Sequence, residues 1–375
     1  RVSAPEQSGG RGIERARRIV ERYVLASPHA LLRGGGDSRA VEALCESWNA
    51  DCALAIWCGP ATVALRTARV GRFAYYGNPD HKSALAMADF DWRHRPRRFD
   101  PKRFAAYVKA RIGVNAMKRA HLAVMRAFDA VGDVAANDAA FYRRRGVRAF
   151  YIRNMWPGGP TADWESERDR REQHAPLKIV ANVGNLSATG NTRGIYTLAT
   201  SVLPALERTL GAGNFELHLF GARRPHPYLT PLLDNRHIRV RGFVDDLDAE
   251  ILSSPVFLIS NNHSEFKVGH TRFLHAWSLG ACVVAFRENT EAMPEIVHRR
   301  NALLAGTPDE MAALVAEAAR DTSLRRALGY GGADALKAQF DPAIVTREIA
   351  DRLVAIAAAR AAAGAAAGAA AARRT

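Results

Sequence analysis

Two stretches of this 375-residue sequence gather residue types suited to holding anions. The first, VGNLSATGNTRG (183–194), carries Gly184, Gly190 and Gly194 with Asn185 and Arg193. Glycines let a backbone approach a ligand closely, free N–H groups at a helix start attract negative charge, and a guanidinium grips phosphate with paired hydrogen bonds. The pattern is neither GxGxxG nor a Walker loop, since no Gly-Lys-Ser/Thr follows, and no acid ends the next strand to hold a ribose. An ordinary glycine-rich turn with a surface arginine is the plainer alternative.

The second stretch, SNNHSEFKVGHTRFLHAWSLGACVV (260–284), sets Glu265 and Lys267 on a loop before a helix expected to start near 269–271. Arg272 and His275, three apart, share one face of that helix; Phe273 and Trp277, four apart, share another. The apolar face packs on a sheet and leaves the arginine and histidine toward the crevice. A carboxylate, two cations and an imidazole at a strand's carboxyl end suit a sugar diphosphate, and a capped helix with solvated charges is the alternative. A third stretch, YYGNPDHKS (75–83), follows a strand and offers Asp80 and His81 as a proton acceptor or an acceptor-binding pair. A turn with incidental polarity reads equally from those residues.

These loops need a frame. From 177 onward, short β-branched runs (178–184, 215–221, 238–244, 256–260, 281–286, 302–306) alternate with helical patterns near 195–210, 228–233, 247–252, 271–279, 292–298 and 308–320. That alternation predicts a parallel sheet with helices on both faces, whose ligands bind at the carboxyl edge. Gly184, Gly221 and Gly242 end strands where tight turns are expected. The first half is less regular, with strands expected at 52–59, 72–78, 130–136 and 147–154 and helices near 13–25, 40–49 and 103–128. The fold class is therefore α/β: two Rossmann-like domains facing a cleft, the first lacking its N-terminal strand. The expected divisions are an incomplete N-terminal domain (1–156), a Pro/Gly-bounded linker (157–176), a second domain (177–356) and an Ala/Gly-rich tail (357–375).

Composition narrows the classes. Apolar residues are 48% and charged residues 24% of the chain, enough for a sizeable core and unlike a disordered chain. No stretch reads as a membrane span, because Gly59-Pro60 breaks 51–65 and Arg360 with glycines interrupts the C-terminal alanines. The four cysteines form no CxxC pair, so a reducing compartment is expected. With Arg at position 1 and no signal-peptide pattern, the sequence is expected to begin inside a longer protein. The net charge of +15 lies mostly in the first half, and 92–126 holds eleven basic residues against one acid, Asp100. Such a stripe faces an anionic membrane, a phosphorylated substrate, nucleic acid or simply water. The 46 Arg against 7 Lys, beside abundant Ala, also fits a coding bias. Without aromatics interleaved in a recognised module, nucleic acid is not an expected partner.

Three segments in order carry a resemblance: VGNLSATGNTRGIYTLATSVLPAL, RGFVDDLDAEILSSPVFLIS, and TRFLHAWSLGACVVAFRENTEAMPEIVHRRNALLAGTPDEMAALVAEAARDTSLRRALG. Over 177–340 the chain resembles the donor-binding domain of GT-B glycosyltransferases, especially family 4. The first half resembles the acceptor domain less specifically, through AVGDVAANDAAFYRRRGVRAFYIRNM. The resemblance implies transfer of a sugar from a nucleotide diphosphate sugar to a hydroxyl of a glycan or lipid-linked acceptor, with retention and without cofactor or metal. By position it implies donor binding by Gly184, Asn185, Arg193, Gly194, the turn residues Phe243 and Val244, Lys267, Arg272 and His275. Asn185 stands where the family usually has arginine. Lys267 and His275 replace its paired glutamates, and Glu265 is the nearest acid to take over a donor-sugar role. On this reading Asp80, His81 and Glu265 are the catalytic candidates. The chain is expected to be cytoplasmic, with 92–126 against an anionic membrane. A catalytically inactive nucleotide-sugar- or glycan-binding relative and a nucleotide-sugar epimerase are the alternatives.

Overall fold

The computed structural model describes residues 14, 19, 20, 37–94, 100–263, 266–268 and 271–372. The helix expected at 13–25 therefore falls almost wholly outside the described residues. Two compact units emerge, residues 1–133, 139–150 and 350–375 in one, 134–138 and 151–349 in the other.

The first unit is built on α1 (Ser38–Ser47), β1 (Cys52–Ile56), α2 (Gly59–Leu65), β2 (Gly71–Tyr76), α3 (Asp80–His94), α4 (Pro101–Arg126), β3 (Ala130–Asp133), α5 (Ala136–Arg143) and β4 (Ala149–Tyr151). Its sheet runs β1-β2-β3-β4, with β1, β2 and β3 parallel. All four expected strands are present, each shorter than its apolar run. Val63, Phe73, Ala74, Val124, Val131 and Tyr142 are fully buried. Asp100 caps α4 by accepting the Lys102 N–H at 2.9 Å, with Pro101 at the first helical position, where its missing N–H costs nothing.

The second unit contains α6 (Trp164–Arg171), β5 (Leu177–Val183), α7 (Thr189–Thr197), α8 (Leu203–Leu210), β6 (Phe215–Phe220), α9 (Thr230–Leu233), β7 (Ile238–Gly242), α10 (Leu247–Leu252), β8 (Val256–Ile259), α11 (Thr271–Ser278), β9 (Val283–Phe286), β10 (Leu303–Ala305), α12 (Pro308–Arg320) and α13 (Thr322–Gln339). Its strand order is β10-β9-β8-β5-β6-β7, with parallel neighbours. Both faces are covered, as the continuous apolar strands require. Val256 and Leu258 join the cluster beneath α7 and α8, while Phe257 and Ile259 join the one containing Phe273 and Trp277. The chain leaves β5 for β6 and β7, then crosses back to β8. The carboxyl ends of β5 and β8 are thus the switch point where open α/β sheets take their ligands.

Three local expectations change. No helix forms over 292–298: Pro294 has no N–H to give, and Asn301 ties the loop instead by accepting from Val297 (2.7 Å) and donating to Glu295 O (2.9 Å). The segment read as a linker holds α6, with Trp164 and Arg168 buried. The Ala/Gly-rich tail continues α14 (Pro342–Ala372) without a break, because alanine is the strongest helix former and Gly364 and Gly368 cost only about 1 kcal/mol each. By length and composition a helix here is long and apolar enough to cross a membrane, which corrects the sequence reading. Arg360 nonetheless fastens α14 within the first unit, bonding Asp129 (3.2 Å) and the Arg69 carbonyl (2.8 Å).

Candidate functional site

At the end of β5, Gly184 turns the chain at φ +110° while its N–H reaches Phe220 O at 3.1 Å. Asn185 closes the turn, its Oδ1 accepting from the Ser187 N–H (3.0 Å) and hydroxyl (2.9 Å). Its carbonyl accepts from Asn191 Nδ2 at 2.7 Å. Helix α7 then begins behind Ala188, whose methyl side chain offers its first N–H groups no acceptor. Such a helix start favours an anion. Arg193, half-buried, is the fifth residue of this helix. Gly194 is required by space, since a Cβ there would stand 2.8 Å from the Asn261 side chain.

From β8 come Ser260, Asn261 and Asn262. The Ser260 hydroxyl donates to Gly194 O (2.9 Å) and Asn261 Nδ2 to Gly190 O (2.7 Å), so the two loops are sewn together. Asn262, at φ +65°, holds the Val268 N–H and carbonyl at 3.2 and 2.9 Å and fixes the approach to α11. Phe273 and Trp277 are fully buried under α11, worth about 1.5–3 kcal/mol each, and set its rotation. Arg272 and His275 lie off this buried face, each with partners of its own.

Arg272 is the centre of the arrangement. Its Nη2 donates to Asn191 Oδ1 at 2.5 Å and lies 4.0 Å from where a Cβ on Gly184 would be. The residue as a whole is half-buried, but Nη1 is sealed from solvent and makes no hydrogen bond. Loss of solvation lowers the guanidinium to about 10, so it stays charged at neutral pH. Among the described residues no carboxylate pairs with it. A sealed cation without a counter-charge is costly in a folded protein, and an anionic ligand removes that cost.

The remaining donor-side candidates lie in other contacts. His275 Nε2 meets Asp248 Oδ1 at 2.6 Å, and its ring stacks on Trp156 at 5.3 Å. Lys267 pairs with Glu291 at 2.8 Å. Phe243 is 76% exposed just beyond Gly242, whereas Val244 packs against the core. Glu265 lies outside the described residues. The structure thus joins Gly184, Asn185 and Arg272 around Asn191, and Gly194 through Asn261. Asn191 and Asn261, the hubs of this network, were not singled out from sequence; Asn191 lay inside the glycine-rich loop, two positions before Arg193. Asp248 and Trp156 were missed because nothing in their spacing pairs them with His275.

In the first unit, Asp80 starts α3 on the surface and accepts from Tyr76 Oη at 2.9 Å. Partial enclosure raises its carboxyl pKa, and the tyrosine bond opposes that rise. His81 is buried instead, its ring 5.9 Å from His121 and 5.5 Å from Phe141. Burial, with Lys118, Lys82 and Arg145 nearby, pulls it down to about 4, so it is neutral and a weak base. Of the two acceptor-side candidates, only Asp80 is exposed.

Residues 177–321 match the family described as "Glycosyl transferases group 1". No curated protein matches the sequence. Among solved structures, sucrose-phosphate synthase from Thermosynechococcus elongatus superposes with a TM-score of 0.60 at 14% identity, over 86% of this chain and 77% of that one. HepE of Anabaena, solved in complex with UDP, gives 0.59 at 14%, over 85% and 82%. A mutant form of TarM from S. aureus, solved with fondaparinux, alpha-GlcNAc-glycerol and UDP, gives 0.56 at 11%, over 80% and 55%. At these identities the likeness is one of fold. Family match and fold agree: residues 177–321 are similar to a glycosyl transferases group 1 domain, and the chain has the two-Rossmann-domain fold of GT-B glycosyltransferases.

Proposed function

We propose that the chain moves a sugar from a nucleotide diphosphate sugar to a hydroxyl of a glycan or lipid-linked acceptor, with retention of anomeric configuration. The observation carrying this reading is the Arg272 guanidinium beside Gly184, its Nη1 sealed and unbonded and no carboxylate among the described residues paired with it, at the switch point of the second unit's sheet. The bond from the sugar's anomeric carbon to the diphosphate oxygen breaks, and one to the acceptor oxygen forms. The hydroxyl proton leaves with the diphosphate or to solvent. Charge growing on the diphosphate is met by Arg272, by the first N–H groups of α7 and by Arg193. Donors placed before the reaction stabilise the transition state without reorganising. That HepE was solved with UDP supports this choice of donor class.

A thermal-shift panel of UDP, GDP, ADP and their sugars tests the donor site, followed by donor hydrolysis with wild type and Arg193→Ala. At least one nucleotide diphosphate is expected to raise Tm. If none does, the donor-site reading is wrong.

We propose an anionic membrane surface as a second partner of the first unit. Phe104, Val108 and Ile112 recur every four residues along α4 and are 46%, 38% and 52% exposed, forming one apolar stripe. Trp92 stacks on Tyr107 beside it at 4.9 Å. Lys102 and Lys109 flank the stripe, and α4 contains no acid. An exposed apolar face bordered by lysines suits the interface of an anionic bilayer.

A further inference from the structure

Trp57 is a bulky residue in the left-handed region, at φ +48°, immediately beyond β1. That conformation is strained for a non-glycine residue, and such strain concentrates at ligand sites. What it achieves is a fixed ring. The Trp57 N–H bonds Tyr75 O at 3.0 Å, and the indole meets the Tyr75 ring edge-on at 6.4 Å. Three consecutive carbons of its six-membered ring lie 3.2, 3.3 and 3.4 Å from where a Cβ on Gly77 would stand. Nearly equal distances to three adjacent atoms put that position over the face of the ring, not beyond its edge. One face therefore lies on Gly77, which has no side chain to push it off, while the residue remains 55% exposed through its other side.

The polar groups beside it complement a sugar. Asn78 follows Gly77; its Nδ2 is used by Ser83 Oγ at 2.9 Å, while its Oδ1 is buried with no hydrogen-bond partner. Tyr76 Oη, which holds Asp80 at 2.9 Å, is 3.7 Å from where a Cβ on Gly59 would lie, so the turn carrying Trp57 borders that pair. A flat apolar face with an exposed carboxylate beside the turn that carries it matches a pyranose, with C–H groups on one side and hydroxyl donors around the rim. A nucleotide phosphate would be repelled by Asp80.

We infer that the exposed face of Trp57, with Asp80 beside the turn that carries it, is a saccharide-stacking subsite, and that the acceptor is a neutral glycan laying a pyranose ring on it. The acceptor role rests on the glycosyltransferase reading; the saccharide subsite does not.

The test uses the full chain on immobilised maltose, cellobiose, mannobiose and N-acetyllactosamine, with UDP-induced thermal shifts measured in parallel. Wild type is expected to be retained on at least one disaccharide. Trp57→Ala should lose at least tenfold in retention, whereas Trp57→Phe, which keeps a flat ring, should stay within about threefold. Both variants should show the wild-type UDP shift, which also reports that they are folded. Retention of Trp57→Ala equal to wild type overturns the subsite, and so does failure of wild type to bind any of the four sugars. Trp57-dependent retention without a UDP shift supports the subsite and overturns the donor reading alone.

Discussion

Arg272 and Asn191 are 81 positions apart, yet Nη2 of the first bonds Oδ1 of the second at 2.5 Å. This bond ties the start of α11 to the first turn of α7, and so fastens the loop after β8 to the loop after β5. Asn191 also donates to Asn185 O and lies 3.4 Å from the Asn261 amide. One buried amide thus fixes the guanidinium, the turn beyond Gly184 and the neighbouring loop.

Removing the guanidinium should weaken nucleotide binding while sparing the fold. Hydrogen bonds to charged groups contribute about 1.5–3 kcal/mol, so Arg272→Ala is expected to raise the Kd for UDP by about 10- to 100-fold in titration calorimetry. Arg272→Lys keeps the charge without the forked donors and should fall between. A Kd unchanged in Arg272→Ala would remove Arg272 from the diphosphate site.

Gly194 gives a stability prediction. A methyl group there would press on Asn261 at 2.8 Å and displace it from Gly190 O. Overpacking a tight contact costs about 1–3 kcal/mol, so Gly194→Ala should lower the urea midpoint and weaken UDP binding together. If both stay at wild-type values, the loops after β5 and β8 are looser than their hydrogen bonds imply.

The sheet of the second unit was legible because each strand is buried on both faces and appears as a short apolar run between turn residues. Gly184, Gly221 and Gly242 stood out because a left-handed φ after a strand selects glycine. The site was legible only in part. Arg272 could be placed on a helix face, since Phe273 and Trp277 fixed the rotation of α11. Its partner could not, because a bond across 81 residues leaves no local periodicity. His81 was misjudged for a related reason: next to Asp80 it looks like one half of a polar pair, but it begins α3 and turns inward onto His121 of α4. Trp57 escaped notice because its type fits a strand end, and only its φ and the ring lying on Gly77 distinguish it.

Membrane attachment has its own signature. If α4 lies on a bilayer, flotation with vesicles containing phosphatidylglycerol should recover the protein at low salt and less of it at high salt, each lysine or arginine near the surface contributing about 1 kcal/mol. Phe104→Glu with Ile112→Glu removes the apolar contribution and should abolish flotation even at low salt. Recovery independent of both salt and these substitutions would rule out α4 as the contact.

The two buried histidines of the first unit should make its stability depend on pH. His121 is fully buried, with Nε2 2.6 Å from Tyr142 Oη, and burial beside His81 pulls it down to about 3. His81 sits at about 4. In the unfolded chain both titrate near 6.5. Between that value and the folded values the unfolded state binds more protons, so stability is full above about pH 7 and falls as pH drops. The slope approaches about 1.4 kcal/mol per pH unit for each histidine, or roughly 2 kcal/mol each between pH 7 and pH 5. Urea unfolding followed by fluorescence at these two pH values should show this loss. His81→Gln should remove about half of it, because a glutamine has no proton to gain. A wild-type midpoint equal at both values would mean that the histidines are solvated, and the packing of Phe141 and His121 around His81 would have to be wrong.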